Sequence, residues 1–304
     1  MRVLILGKGF LGSHIYNNLC ADGTYHNVVC AHRSGLDGPH VLSEGEREIW
    51  RCNLTEPNDV KLLYQSYQPD LIIHFASTAS TNAGWSSCKT NLDITNNLLE
   101  YLPPGCKPRF ILASSATVYS NRALCERADE YGECSPESFY GVSKLTSENL
   151  CRLYYNNDKL ASLYIMRMCA IVGKHATHGF LPDLVRKLKS KDRVLRLLGN
   201  EPGTTKPYVH VNDLVTVVKM LALYTGGIQV YNVCNYDILS AREIAKLAFN
   251  VLGVVKPIEW SGSLWSGDNE LVALWENKIN FLGWHKQCKT STDAVIQALK
   301  ELSQ

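Results

Sequence analysis

The segment 138–144, Ser-Phe-Tyr-Gly-Val-Ser-Lys, sets the phenol of Tyr140 four residues before the ammonium of Lys144. On a helix two such residues share one face. A phenol with its ordinary pKa near 10 is a poor base at neutral pH, and a neighbouring cation favours its ionised form. The pair can therefore trade a proton with a hydroxyl group as a hydride leaves or arrives, with Tyr140 as acid–base group and Lys144 as its electrostatic support. Spacing alone does not select this pair, because Tyr155 and Lys159 repeat it. The second copy lies beside Asn156-Asn157-Asp158, at the expected end of a helix, with no hydroxyl-bearing strand before it. Tyr140 has one: residues 109–114 read as a strand running into Ser115. Ligands of parallel sheets gather outside the carboxyl ends of the strands, where Ser115 can hydrogen-bond the substrate oxygen that Tyr140 protonates. Two serines at a strand end are also an ordinary turn signal.

A second motif could hold the hydride carrier. Gly7-Lys8-Gly9-Phe10-Leu11-Gly12 follows the apolar run Val3-Leu4-Ile5-Leu6 and opens a helical segment. In that setting the first glycine permits a tight turn. The second lets backbone approach a pyrophosphate, and the third lets helix pack on strand. The helix N-terminus then offers its free N–H groups to the phosphates. Dinucleotide sites often place an acid about 20 residues further on, against the ribose 2′-hydroxyl. Here that region reads His32-Arg33-Ser34. The acid is missing, and a guanidinium can pair with a 2′-phosphate. The pattern favours NADP over NAD and leaves both open; Arg33 stacked on adenine or facing water is the plainer alternative.

These residues need a scaffold. Short runs at 3–6, 28–31, 49–52, 71–75, 109–114 and 162–167 read as strands, and stretches at 10–20, 57–67, 88–101 and 138–156 as helices. Strands apolar throughout and joined by helices imply a parallel sheet covered on both faces, an α/β doubly wound fold. Past 173 the alternation loosens. Helices are expected near 182–190, 212–224, 240–252 and 291–302, and a strand near 229–233 that rejoins the sheet. The expected division is a dinucleotide-binding domain over 1–172, completed by about 209–234, and a smaller C-terminal substrate-binding cap from about 173–208 and 235–304.

Composition narrows the partners. A net charge of +2 gives no broad field for nucleic acid. No apolar run approaches the ~20 residues of a membrane span, and no signal peptide is visible at the start of the chain. Eleven cysteines, an odd number without a Cys-x-x-Cys, suggest neither a disulfide framework nor a metal site, and fit a reducing cytoplasm. His175-Ala176-Thr177-His178 has no acidic or cysteine partner nearby in sequence, so no metal is expected.

In order along the chain, "GKGFLG", "PDLIIHFAS", "TNLDITNNLLE", "ILASSATVYS", "SFYGVSKLTSENL", "PYVHVNDL" and "YNVCN" resemble the extended short-chain dehydrogenase/reductases, the epimerase/dehydratase family that acts on nucleotide sugars. The resemblance implies a Rossmann-type fold and the catalytic triad Ser115, Tyr140 and Lys144. It implies cofactor contacts at the glycine loop, at His32 and Arg33, at Asn53-Leu54 and at Phe75-Ala76-Ser77, with Lys144 on the nicotinamide ribose. It implies a nucleotide-sugar substrate met by Ser115, Lys206 and Tyr208, and a homodimer through a four-helix bundle that includes the Tyr140 helix.

The departures from the family pattern narrow the reaction. Dehydratases of the family carry Thr-Asp-Glu where this chain has Ser115-Ala116-Thr117, so 4,6-dehydration is not expected. "SSATVY" is most similar to the 4-epimerases, which usually hold NAD and carry the acid missing here. The segment 77–91 is short, as in the 4-keto-sugar reductases that often use NADPH. Lys206 stands where the family often has an arginine for the diphosphate, and Arg167-Met168-Cys169-Ala170 lacks a common sugar-contacting asparagine. Three functions stay open: an epimerase acting at a sugar carbon, C4 by resemblance; an NADPH-dependent 4-keto-sugar reductase; and a non-catalytic dinucleotide sensor, which would have no need of the proton pair. His175, His178, Trp265 and Trp284 are possible substrate neighbours, with ordinary packing or surface as the alternative.

Overall fold

Val3-Leu4-Ile5-Leu6 has no polar side chain to turn toward water, so it suits a strand covered on both faces. In the computed structural model, which describes residues 1–25, 28–32, 40–44, 47–78, 84–263 and 269–304, that run is a fully buried strand. Along the first half of the chain the elements are β1 (Val3–Leu6), α1 (Phe10–Ala21), β2 (Val28–His32), β3 (His40–Glu44), β4 (Arg47–Arg51), α2 (Pro57–Ser66), β5 (Leu71–His74), α3 (Trp85–Glu100), β6 (Arg109–Ser115), α4 (Asn121–Cys125) and α5 (Phe139–Asn156). There follow β7 (Ser162–Met168), β8 (Ala170–Val172), α6 (Phe180–Lys189), β9 (Leu195–Leu197), β10 (Thr205–Lys206), β11 (Tyr208–His210), α7 (Val211–Leu223) and β12 (Ile228–Val233). The chain closes with β13 (Leu239–Ser240), α8 (Ala241–Leu252), β14 (Ile258–Trp260), α9 (Asn277–Asn280) and α10 (Ser291–Ser303).

The main sheet has the order β12-β7-β6-β5-β1-β2-β4-β3. β1 is parallel to β2 and β5, β5 to β6, and β2 to β4. The chain builds away from β1 through β2 and β4, then returns to β1's other side with β5. Between the ends of β1 and β5 lies the topological switch point, where open α/β sheets bind their ligands. Alternate residues of β1 face opposite ways. Leu4 and Leu6 join a core with Val60, Leu63 and Tyr64 of α2, Leu98 and Leu99 of α3, and Cys151 of α5. Ile5 meets Gly12 of α1 on the other face. Helices thus cover both sides, and the expected doubly wound α/β fold is present.

Local differences have physical causes. β3, which pairs antiparallel with β4, was absent from the expected strands; an edge strand has one partner and needs no wholly apolar run. The third expected strand runs over Arg47–Arg51 rather than 49–52, and α3 starts at Trp85 rather than 88.

The chain divides into two compact units, one of Met1–Ser115, Phe139–Met166 and Val217–Val230, the other of Ala116–Ser138, Arg167–Thr216 and Tyr231–Gln304. The second has its own core, in which Leu181, Leu184 and Leu188 of α6 meet Ile244 and Ala248 of α8 and Val295 and Leu299 of α10. A Ser240–Glu243 capping box starts α8, and Gly253, with φ +67, ends it in the left-handed conformation that glycine adopts without strain.

Candidate active site

The glycine loop lies at the switch point, and its three glycines answer three different demands. Gly7 has φ +100, and a Cβ there would come within 2.7 Å of the Ala76 amide nitrogen. The loops after β1 and β5 press together at this point: Gly7 N–H donates to the Ala31 carbonyl at 2.8 Å, and Phe75 N–H to that of Leu6 at 2.8 Å. A Cβ at Gly12 would lie 1.8 Å from the Gly7 carbonyl oxygen, so only glycine lets α1 start this close to the turn. Gly9 differs. Its backbone is extended, with φ −81, and a Cβ there would meet nothing within 4 Å. Space is kept beside bare backbone. No side chain caps α1 and no acid sits in its first turn, so its N-terminal amides suit an anion. This donor set fits a pyrophosphate.

Beyond β5 the chain passes through Phe75, Ala76 and Ser77. Ala76 packs on the core, and Thr78, two residues on, is clamped. Its N–H donates to Asn91 Oδ1 at 2.7 Å, and Asn91 Nδ2 donates to the Thr78 carbonyl at 3.2 Å. Asn91 Nδ2 also reaches Ser143 Oγ at 3.1 Å, and Ser143 Oγ donates to the Tyr140 carbonyl at 2.8 Å. Hydrogen bonds thus run from this loop, through α3, to the first turn of α5.

α5 meets the end of β6 through three side chains one turn apart. Ser115 hydrogen-bonds the Tyr140 phenol. Lys144 Nζ donates to the Ala113 carbonyl at 2.8 Å. Ser114 Oγ donates to Glu148 Oε1, and Glu148 is wholly buried. Burial pushes the Tyr140 phenol up to about 12, against the pull of the Ser115 hydrogen bond. Burial pushes Lys144 down to about 8, against the charge of Glu148. Here the geometry departs from the expectation that Lys144 makes Tyr140 more acidic. The ammonium lies 5.6 Å from the Tyr140 ring centroid and donates its hydrogen bond to the Ala113 carbonyl, so desolvation dominates and Tyr140 is a phenol at neutral pH in the protein alone.

His74, at the end of β5, is also buried. Burial first, and the Lys144 charge second, bring it down to about 3, so it is neutral. Its Nε2 meets Thr95 Oγ1 at 3.2 Å, and Thr95 Oγ1 meets Ser147 Oγ at 3.0 Å. Asn91, Thr95, His74 and Glu148 were not singled out from the sequence. Their signal was there: Asn91 and Thr95 are one turn apart on α3, and Glu148 continues the four-residue step of Tyr140 and Lys144.

Other expected contacts fall variously. Asn53 follows β4, and its Oδ1 accepts from Thr55 Oγ1 at 2.9 Å. The Leu54 side chain is in the core and its carbonyl accepts from Asn97 Nδ2, so contact with a ligand there is left to backbone. His32 ends β2, while Arg33 and Trp265 lie outside the described residues. In the second unit, Lys206 stands on β10 opposite Leu239. Tyr208 is 3% exposed and part of that unit's core. Trp284 is buried, with Nε1 donating to Thr216 Oγ1 at 3.0 Å. Tyr155 packs on the first core, and Lys159 lies past the end of α5.

The profile of the NAD dependent epimerase/dehydratase family matches residues 3–234, which span the glycine loop, the serine strand and α5. The chain belongs to that family. This epimerase/dehydratase family member is accordingly an enzyme of the extended short-chain dehydrogenase/reductase type. It is 24% identical to a UDP-glucose 4-epimerase of Drosophila melanogaster over 245 residues, 68% of each chain. Among solved structures it is similar to the UDP-glucose 4-epimerase of Thermus thermophilus in complex with NAD, with a TM-score of 0.85 and 23% identity over 99% of both chains. It is similar also to RMD from Pseudomonas aeruginosa complexed with NADPH, with a TM-score of 0.79 and 21% identity over 100% of this chain and 99% of that one. At these identities the structures speak for the fold. Among the described residues no helix is long and apolar enough to cross a membrane.

Proposed function

We propose that this enzyme epimerises a nucleotide-activated sugar at a single ring carbon, C4, by removing a hydride and returning it to the other face. The observation that carries the reading is the grip of α5 on β6, which sets a hydrogen-bonded Ser115–Tyr140 pair one turn from a buried Lys144. Ser115 orients the sugar hydroxyl, and Tyr140 Oη takes its proton and later returns it. Lys144, besides holding Ala113, binds the ribose of the dinucleotide. The backbone around Gly7, Gly9, Phe10, Leu11 and Gly12 holds the pyrophosphate, with Phe75, Ala76, Ser77, Asn53 and Leu54 along the same site. A bound nicotinamide supplies the hydride acceptor, and its positive charge favours the phenolate that the protein alone does not. The first unit is the dinucleotide-binding domain, and the second, with Lys206 toward the diphosphate, binds the sugar nucleotide. Trp85 and Phe139, exposed at the starts of α3 and α5 with ring centroids 6.3 Å apart, support pairing of two copies through these helices. Eleven free cysteines suit a reducing cytoplasm.

The second reading, an NADPH-dependent 4-keto-sugar reductase, is favoured by two features of the sequence: no acid occurs in His32-Arg33-Ser34, at the end of β2, and the segment 77–91 is short. One experiment separates the two. Nucleotide released from freshly purified protein is identified by mass, and the protein is then given UDP-glucose and UDP-galactose. Retained NAD with interconversion of the sugars supports the epimerase. An empty protein that binds NADPH far better than NADH, and interconverts nothing, supports the reductase. Binding of neither overturns the reading of the glycine loop.

A further inference from the structure

Tyr140 and Lys144 account for two turns of the contact between α5 and β6; the third turn has no part in the proton transfer. Glu148 is wholly buried at that turn. Burying a carboxylate is costly unless it is paired or hydrogen-bonded. Its Oε1 accepts from Ser114 Oγ, and its Oε2 lies 4.0 Å from Arg152 Nη2 at the next turn of α5. Side chains four apart lie one above the other on a helix, so Tyr140, Lys144, Glu148 and Arg152 form a single file. Three consecutive residues of β6 answer it. Ala113 takes Lys144 on its carbonyl, Ser114 gives its hydroxyl to Glu148, and Ser115 meets Tyr140.

We propose that Glu148 is a positioning residue for the hydride-transfer site: its buried carboxylate keeps the Lys144 ammonium charged and, through Ser114, fixes the end of β6 from which Ser115 meets Tyr140. The proposal rests on the reading of Tyr140 and Lys144 given above. A buried ammonium tends to shed its proton, and a fixed negative charge one turn away opposes this. The other ionisable groups facing this file do not replace that charge. His74 on β5 is neutral, held far below its usual range by burial and by Lys144 itself. The Cys151 thiol is pushed far up by burial and then by Glu148, so it stays protonated. Tyr140 stays a phenol, pushed up by burial. Arg152 is a guanidinium and brings no negative charge. Asn91, Thr95, Ser143 and Ser147, which line the α3–α5 contact, carry no charge.

The test reads Lys144 directly. The full-length protein is labelled with lysine carrying carbon-13 at Cε, the Lys144 signal is assigned by its loss in Lys144→Arg, and its titration midpoint is followed by NMR without substrate. Glu148→Gln preserves shape and removes charge. It should lower the midpoint by about one pH unit or more, the scale of a single nearby charge. Where the parent turns over sugar, the alkaline limb of kcat moves down in step while KM for the sugar holds. A role confined to packing moves neither. Glu148→Asp keeps the charge but withdraws it by one methylene, and its midpoint should fall between the two. An unmoved midpoint in a folded Glu148→Gln overturns the proposal. If that variant does not fold, an unmoved midpoint in Glu148→Asp does so. A parent that turns over no sugar defeats the catalytic reading, and the midpoint still decides whether Glu148 charges Lys144.

Discussion

The spacing Tyr-x-x-x-Lys occurs twice around α5, and the two copies are not alike. Tyr140, in the first turn, is held by Ser115, and Lys144 is buried against the Ala113 carbonyl. Tyr155, in the last turn, packs on the apolar core. Before Lys159 is reached the helix has ended at Asn156, and Asp158 has turned left-handed with φ +59. Lys159 N–H then donates to the Tyr154 carbonyl. Four residues make a pair only where a helix continues through both, and a proton pair only where a strand ends in hydroxyls beside it. The largest expected effect follows. Tyr140→Phe should lower kcat by about 10²–10⁴-fold, the usual worth of a placed acid–base group. It should leave dinucleotide binding near that of the parent. Tyr155→Phe should stay within about twofold of the parent. Equal losses in steady-state assays of the two variants would break the comparison.

The glycine loop offers the same contrast between residues that look alike. Gly12→Ala sets a Cβ against the Gly7 carbonyl, and a backbone oxygen cannot swing aside. We expect a loss of about 1–3 kcal/mol of stability, the cost of overpacking, seen as a lower Tm in the free protein. Gly9→Ala meets open space and an ordinary extended backbone. Its Tm should match the parent's, while dinucleotide affinity measured by calorimetry falls at least about tenfold, equivalent to ~1.4 kcal/mol. If Gly9→Ala binds as the parent does, the space beside Gly9 is not the pyrophosphate site.

What could be read in advance follows from how each signal is made. β1, β2, β5 and β6 were legible because strands buried on both faces leave wholly apolar runs. The glycine loop was legible because its spacing joins a strand to a helix. β3 escaped, being an edge strand, and so did the two- and three-residue strands β8 to β11, β13 and β14, which are too short to show a period. In the site, Tyr140, Lys144 and Ser115 could be named from spacing and order. The direction of the Lys144 hydrogen bond could not, since it depends on where the Ala113 carbonyl points. Tyr208 carried the opposite lesson: a motif aromatic beside Lys206 is a core residue, because β11 turns inward beneath α10 in the second unit.

The two lysines give the last and smallest effect, and its sign can be worked out. Lys144 falls from 10.5 to about 8 on burial. Between those values the unfolded chain holds the proton and the folded chain does not, so this group makes stability rise with pH across that window. Below about pH 8 both states hold it and the cost of burying the ammonium stands in full. Activity should run the other way, because a deprotonated Lys144 no longer holds the Ala113 carbonyl and the dinucleotide ribose with an ammonium, and kcat should fall as pH rises through about 8. Lys144→Met should flatten the stability rise between pH 8 and 10.5, whereas Lys159→Met should leave it as in the parent. Denaturant unfolding of the three proteins at a series of pH values reads this difference curve. A rise that survives in Lys144→Met would mean that the ammonium is not buried against Ala113, and the two copies of the motif would then differ less than their surroundings suggest.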